Sequence, residues 1–547
     1  MSFTRRIGSV EVFFLLYLFF ILFSCRKTGT VGSGTLSLDK TAIQIDTAVG
    51  TVDSFSVQST LQWTASISGG VDWLRIDKSS GAPGNTQIKL TIISNDHTGL
   101  TEVATITITG IGNIPSVKLT VTKKPFTFRL DYHRALGGTQ EESALRSMAK
   151  TLDGGVVITG GTSSNDGDVH GHHGNADLWV VKLNNNGDTV WTKTYGGSAE
   201  DGGACVIAIP DGGYLVCGST SSSDGDIHNN KGGFDAWLLK LDGNGDTIWT
   251  KTYGGTSIER ANSIIAATDG GYAIAGFTGS NDGDVNKNNG SADMWILKLN
   301  AVGDILWTKT YGGSSWDEAS AIVATADGGY ALAGLTNSND QDVSGFHESP
   351  FFSFDMWIVR LDAAGNKLWG KALGGTVNEM GLSIIVSAGR LVITGLTNSK
   401  DGDVTGYHGN SAFFNDLWVV KLNDNGTLIW AKAYGGSFDD EGLSIIATPD
   451  GGYAVAGATA SKDGDVSGYH DGQGTDDIWI LKLDADGHRQ WAKTVGGRGD
   501  DLCGSILPVS GGYILGGFTN SNDGDLSGSG YHGADDIFVM KISIGFF

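Results

Sequence analysis

Carboxylates recur along most of this chain at spacings that invite cation chemistry. Pairs of aspartates one residue apart stand at Asp166 and Asp168, Asp224 and Asp226, Asp282 and Asp284, Asp340 and Asp342, Asp401 and Asp403, Asp463 and Asp465, and Asp523 and Asp525. Each pair is followed by a third acid: Asp177, Asp235, Asp293, Asp355, Asp416, Asp477 or Asp536. Carboxylate oxygens clustered in a glycine-bearing loop are the hard ligands that calcium prefers. Three per repeat would repel one another unless something neutralised them, and a cation would. Asp166, Asp168, Asp177, Asp282, Asp284, Asp293, Asp401, Asp403, Asp416, Asp463, Asp465 and Asp477 are therefore candidate calcium ligands. The alternative is that these acids make Asx turns and strand-end caps, with recurring bases such as Lys182, Lys240, Lys193 and Lys251 as countercharge. No complete EF-hand pattern is present.

The same loops carry eight of the 11 histidines, four of them in aromatic-His pairs after a glycine: Phe346-His347, Tyr407-His408, Tyr469-His470 and Tyr531-His532. A zinc site needs three or four ligands converging on one point, whereas one histidine per repeat is spread out. Two of the loops are longer and add Phe351, Phe352 and Phe354, then Phe413 and Phe414. Exposed aromatics on neighbouring loops are what a sugar or a protein partner would stack upon. Phe351, Phe352, Phe354, Tyr407, His408, Phe413, Phe414, Tyr469 and His470 form the candidate ligand-binding set. Local packing of a longer loop is the competing account.

The elements that must hold these loops are legible as a repeat. A double glycine opens each unit at Gly137, Gly196, Gly254, Gly312, Gly374, Gly435 and Gly496, a period of 58 to 62 residues. Four strands fit each unit, and four short antiparallel strands make a propeller blade. The third strand occurs seven times, with Trp179, Trp237, Trp295, Trp357, Trp418, Trp479 and Phe538 at its aromatic position. The fourth follows its third strand only six times. Its missing copy is Asp131-Tyr132-His133-Arg134-Ala135-Leu136, which precedes the first double glycine. That segment should pair as the outer strand of the last blade and close a seven-bladed ring. The acids at the entry of strand one (Glu142, Asp201, Glu259, Asp317, Glu379, Asp440, Asp501) should then ring the mouth of the channel. The repeat resembles the Gly-Gly-Tyr propeller repeats of exported proteins in the Bacteroidetes. That likeness covers residues 128 to 547 and implies a fold and a compartment, with no activity attached.

Residues 35 to 124 alternate apolar and polar positions in short runs between Gly, Asn, Asp and Pro turns, the pattern of a β-sandwich. Leu61-Gln62-Trp63, Trp73-Leu74, Ser80-Gly81 and Thr105-Ile106-Thr107-Ile108 resemble the BACON family, whose name proposes carbohydrate binding. Trp63 and Trp73 fit core positions better than an exposed stacking surface. A spacer role is as open as a binding one. Before this module, Arg5 and Arg6 precede an apolar run from Phe13 to Phe23, too short to span a bilayer and right for a signal-peptide core. Its end, Leu22-Phe23-Ser24-Cys25, resembles the lipobox of bacterial lipoproteins. The likeness implies cleavage after residue 24, lipid on Cys25, a flexible tether over residues 25–34 and an exported, membrane-anchored protein, with the outer membrane as its expected station.

Composition agrees with an all-β array. Gly is 84 of 547 residues against 7 Pro, and 40% are hydrophobic, too apolar for disorder. A formal net charge of -23 argues against a nucleic-acid partner. Four cysteines make no disulfide framework: Cys205 and Cys217 flank a hairpin turn and could approach each other, and Cys503 is expected to be unpaired and buried. The sequence thus reads as an Ig-like sandwich followed by a propeller that binds a glycan or a protein through its acidic loop face, with the membrane reached through the lipid alone. A calcium-stabilised scaffold or accessory subunit of an envelope complex is the second reading. No catalytic residue is assigned, because catalysis needs one unique constellation and nearly every acid here has six counterparts.

Overall fold

The computed structural model describes residues 34–45, 52–69, 73–92, 102–112, 114–123, 126–143, 148–347, 353–470 and 475–546. Residues 1–24, expected as a signal segment, and Cys25 lie outside the described residues, as do Phe351 and Phe352. The chain divides into two compact units that part between Pro125 and Phe126. Among the described residues no helix is long and apolar enough to cross a membrane.

The first unit is a two-sheet sandwich. One sheet orders Leu36–Leu38, Val52–Ser59, Gly84–Ile92 and Leu74–Ile76; the other orders Ala42–Ile45, Val117–Lys123, Glu102–Gly110, Trp63–Ser68 and Ser80–Gly81. Inward residues of the alternating strands, among them Phe55, Val57, Ile88, Leu90, Ile106 and Ile108, form its core. Trp63 and Trp73 belong to that core, each 1% exposed, and offer no stacking surface.

The second unit is a seven-bladed propeller. In blade 2, Asp201–Ala208, Tyr214–Thr220, Asp235–Leu241 and Thr247–Tyr253 pair in chain order, and blades 3 to 6 repeat that order. In blade 1 the described parts of the first strand are Glu142–Ser143 and Met148–Lys150. Strand one of each blade lies beside strand one of the next, and that of blade 7 meets blade 1, so the ring is closed. The buried indoles of strand three fill the space between blades, and Phe538 takes their place in blade 7.

Blade 7 is completed by the N-terminal segment. Phe126–Leu136 runs antiparallel to Asp536–Phe546, with Ala135 opposite Phe538 and Arg134 opposite Val539. The phase of this strand follows from the hairpin it covers. In blades 1 to 5 a strand-four tryptophan lies over the hairpin glycine of the next blade, as Trp191 does over Gly245, where φ is +80° and a side chain would be strained. Tyr132 covers Gly187 of blade 1 in the same way. The closing strand begins two residues earlier than the repeat alone indicates, because Phe126 and Thr127 still find partners at Phe546 and Gly545.

Two sequence expectations concerning cysteine and lysine resolve here. Cys205 and Cys217 are directly opposed across strands one and two of blade 2 yet remain free thiols, and Cys503 is a free, buried thiol. The strand-three bases do not neutralise the loop acids: Lys182, Lys298, Arg360 and Lys482 pair with Asp153, Asp269, Asp327 and Asp450 in the turns at the opposite end of the blade. The physical reason is reach, since strand three starts at the loop end and its base lies near the other.

Tyr132→Ala should lower the thermal midpoint of the propeller by uncovering the blade 1 hairpin, a loss of about 1–3 kcal/mol. Tyr132→Phe should leave it unchanged, because the Tyr132 hydroxyl is buried without a partner. Paired melting curves check both.

Candidate functional site

The loop end of the propeller is built on the double glycines. In every blade the first aspartate of the Asp-x-Asp pair accepts the N–H of the residue after the double glycine, at 2.7 to 2.9 Å. The second aspartate donates its own N–H to the carbonyl of the first glycine. The residue between them is held at φ near +65°, a glycine in six blades and Gln341 (φ 55°) in blade 4. Asp166, Asp168, Asp282, Asp284, Asp401, Asp403, Asp463 and Asp465 thus clasp a backbone turn. For Asp166 both oxygens are engaged, by the N–H and the hydroxyl of Thr139. Among the described residues no group of three or more His, Cys, Asp or Glu is placed to hold a metal ion. The bonds these acids make are those of turns and caps.

The strand-one acids do not ring the channel mouth. Glu142, Asp201, Glu259, Asp317, Glu379, Asp440 and Asp501 are buried, at most 2% exposed, and each accepts the N–H of the second glycine at 2.7 to 2.8 Å. A strand-two threonine or a serine two residues later adds further donors: Asp317 accepts from Thr336 and, at 2.8 Å, from Ser338, whereas Asp201 accepts from Ser222 and its Oδ1 has no hydrogen-bond partner. The third acids, including Asp177, Asp293, Asp416 and Asp477, are also buried and lie where one blade meets the next. One oxygen of each accepts a loop N–H; the other has no hydrogen-bond donor in any of the seven.

The histidines serve the same junctions. Nδ1 of His173, His347, His408, His470 and His532 lies 2.8 to 2.9 Å from the third acid of its own blade. Nε2 of His470 and His532 also approaches the second loop aspartate of the next blade, at 3.6 and 3.8 Å. Lys231 fills this position in blade 2 and Asn289 in blade 3. Desolvation, opposed by the bond to Asp355, acts on His347, while for His408 the bond to Asp416 comes first; both imidazoles end above their ordinary range. Tyr407 donates within its loop, 2.7 Å from the carbonyls of Ser411 and Phe414, and Tyr469 donates to Thr475. Tyr407, His408, Tyr469 and His470 thus brace their own loops and remain partly exposed.

Several aromatic side chains at this end are not sevenfold. Phe413 is 88% exposed, and Phe414 meets Phe438 of blade 6 edge to face at 5.2 Å. Phe277 and Trp316 pair at 5.0 Å, and Arg260 lies over Phe234 at 5.2 Å. Phe354 is half-buried. Near Phe438 a second departure from the repeat appears: burial, and then the charges of Glu441, Asp500 and Asp439, push the Asp476 carboxyl up to about 7. Toward the axis Leu382, Leu396 and Leu443 cluster with Met380 and Leu502. The sequence reading singles out Phe413 and Phe414 and passes over Trp316, Phe438 and Asp476. The available signal was divergence: the positions of Trp316 and Phe438, just after the double glycine, carry small or polar residues in most other repeats.

Residues 35–124 match the family model described as a viral BACON domain, so the N-terminal sandwich is BACON-like. The regulatory protein FlaEY of Caulobacter vibrioides is 24% identical over 404 residues, covering 66% of this chain and 40% of that protein. The chain therefore spans less than half the length of that relative. A GH5 xyloglucanase of Bacteroides ovatus shares 18% identity over 25% of this chain and 30% of its own, with a TM-score of 0.16. A quinonprotein alcohol dehydrogenase-like protein of Bacteroides thetaiotaomicron shares 9% over 82% and 93%, with a TM-score of 0.34. Likenesses this distant carry no argument about activity, and the propeller rests on its own seven sheets.

The junction geometry makes its own demand on sequence. A β-carbon on Gly312 would lie 2.6 Å from Asp293 Oδ1 and 2.7 Å from Asp317 Oδ2. Gly312→Ala should wedge the two carboxyl groups apart and cost about 1–3 kcal/mol; Gly328→Ala, with room around it, is the control for backbone strain alone, since φ there is +83°. Thermal or denaturant unfolding of the two variants checks the difference.

Proposed function

We propose that this chain is a lipid-anchored envelope protein whose propeller binds a glycan through the loop end of blades 4 to 6. The observation that carries the reading is Phe413, a phenyl ring 88% exposed beside the Phe414–Phe438 pair, where no packing role accounts for it. Aromatic faces beside carboxylates supply what a sugar needs, an apolar surface for its C–H face and acceptors for its hydroxyls. The Arg5-Arg6 start, the apolar run and Ser24-Cys25 support export and lipidation, and the Gly-Gly-Tyr repeat type supports the same compartment. A scaffold role for an envelope complex is the second reading, favoured by the sevenfold regularity of the loop clasps.

The test is a polysaccharide and glycan array probed with the chain from Gly34 onward, alongside Phe413→Ala and Phe438→Ala. Binding should weaken about tenfold in each variant with the melting temperature of Phe413→Ala unchanged. Binding that ignores both substitutions would move the site elsewhere, and no binding at all would favour the scaffold.

A further inference from the structure

Blade 2 carries two of the chain's four cysteines, and the fold sets them face to face. Cys205 of strand one is directly opposite Cys217 of strand two, beside a bulge at Ala204. Opposed residues of an antiparallel pair have α-carbons about 4.5–5.5 Å apart, inside the range of about 4.4–6.8 Å that disulfides span, so a bond needs no movement of the backbone. The other blades do not ask for cysteine here: Ser263 faces Ala275 in blade 3, Ser383 faces Thr394 in blade 5 and Ser505 faces Gly516 in blade 7. Both replacements fall on one opposed pair. The inner strand of blade 2 is also cut down beside them, with Gly202 and Ala204 where blade 5 has Met380 and Leu382. A β-carbon on Gly202 would meet nothing within 4 Å. Cys205 is part-exposed on this bare strand, whereas Cys217 is fully buried. We propose that Cys205 and Cys217 form a redox-active dithiol site: the Cys205 sulfur reacts with a low-molecular-weight disulfide, and Cys217 resolves the mixed disulfide into a cross-strand bond that staples strands one and two of blade 2.

The surroundings divide the pair into an attacking and a resolving sulfur. In blades 3, 5 and 6 the serine Oγ at the Cys205 position accepts an N–H from strand one of the next blade: Ser263 from Ile322 and Ser383 from Ile445 at 3.4 Å, and Ser444 from Ile506 at 3.3 Å. Cys205 Sγ takes the same place and accepts from Ile264. Cys217 Sγ has two acceptors within reach, the Cys205 sulfur and, at 3.8 Å, the Ala261 carbonyl of blade 3. The Cys217 S–H, and after it the Ile264 N–H, hold the Cys205 thiol below its ordinary value against the opposing effect of burial, while burial pushes Cys217 well up. A thiolate is the nucleophile of disulfide exchange. Cys205 therefore attacks one sulfur of the small disulfide RSSR, and RS⁻ leaves with the electron pair of the broken S–S bond. Cys217 then gives up its proton and attacks the Cys205 sulfur, and the second RS⁻ leaves. Two protein thiols and RSSR become one protein disulfide and two RSH, so the two electrons and two protons that the protein loses are those that the small disulfide gains. Cys503 is the internal control. It is buried opposite Gly517 with no second thiol facing it, its Sγ lies against the Ser505 and Gly516 carbonyls, and burial pushes it up to about 12.

The test takes the full chain with Cys25→Ser, which leaves the thiols of Cys205, Cys217 and Cys503, purified reduced and then exposed while folded to oxidised glutathione. The mass should fall by two hydrogens with no adduct retained, and a non-reducing peptide map should link Cys205 to Cys217 and leave Cys503 as a thiol. Cys217→Ser should stop at the first step and keep one glutathionyl group on Cys205. Cys205→Ser should acquire none, because Cys217 is buried. Three results would each overturn the proposal: Cys205 and Cys217 staying reduced or holding a lasting glutathionyl adduct when both are present, Cys503 reacting as fast as Cys205, or Cys217→Ser gaining no adduct while folded. The peptide map of the chain that keeps both cysteines decides even if neither variant folds.

Discussion

The architecture depends on what two blades can place against a glycine that has no side chain. At each first glycine the strand-three carboxyl of one blade and the strand-one carboxyl of the next occupy the space that a side chain would fill. The second glycine supplies the N–H that fixes the strand-one acid, and the loop aspartates fold back onto the carbonyl and the following N–H. One dipeptide therefore anchors the end of strand four, the start of strand one and the loop between strands two and three. The apolar part of the junction, the buried strand-three tryptophans, is non-directional and would tolerate sliding. Directional bonds at the loop end set the register in which those rings pack.

Much of this was legible in the sequence, and the reason is repetition. The spacing of double glycines fixes seven units, and the motif Tyr132-His133-Arg134-Ala135-Leu136-Gly137-Gly138 identifies the closing strand because it repeats an ending whose beginning lies at the far end of the chain. The fate of the acids was not legible. An aspartate such as Asp317 or Asp293 reads as exposed in any hydropathy argument, and what lets it be buried is its donors, Thr336 and Ser338 for Asp317 and the Asn289 N–H of its own loop for Asp293. The recurrent Thr-x-Ser before each Asp-x-Asp pair was the available clue. The bracing role of the histidines was hidden for the same reason, since the third acid that each Nδ1 meets lies four to eight residues further along the loop.

Function separates from scaffold along the same line. Positions that recur seven times build junctions, and positions that break the repeat are free to contact something else. Phe413, Phe438, Trp316 and Asp476 are of the second kind and gather at the loop end, whereas Tyr407 and His408, which looked equally promising in sequence, bond inside their own loop and to their own strand. The rigid ring holds such divergent loops at fixed distances, which lowers the entropy lost when a ligand is bound.

Amide hydrogen exchange read residue by residue across the propeller would look directly at the blade junctions. The account predicts that the N–H of the second glycine of each pair, such as Gly313, which bonds Asp317 Oδ2 at 2.7 Å, exchanges as slowly as the amides of the strands. Fast exchange at the second glycines beside protected strands would contradict it.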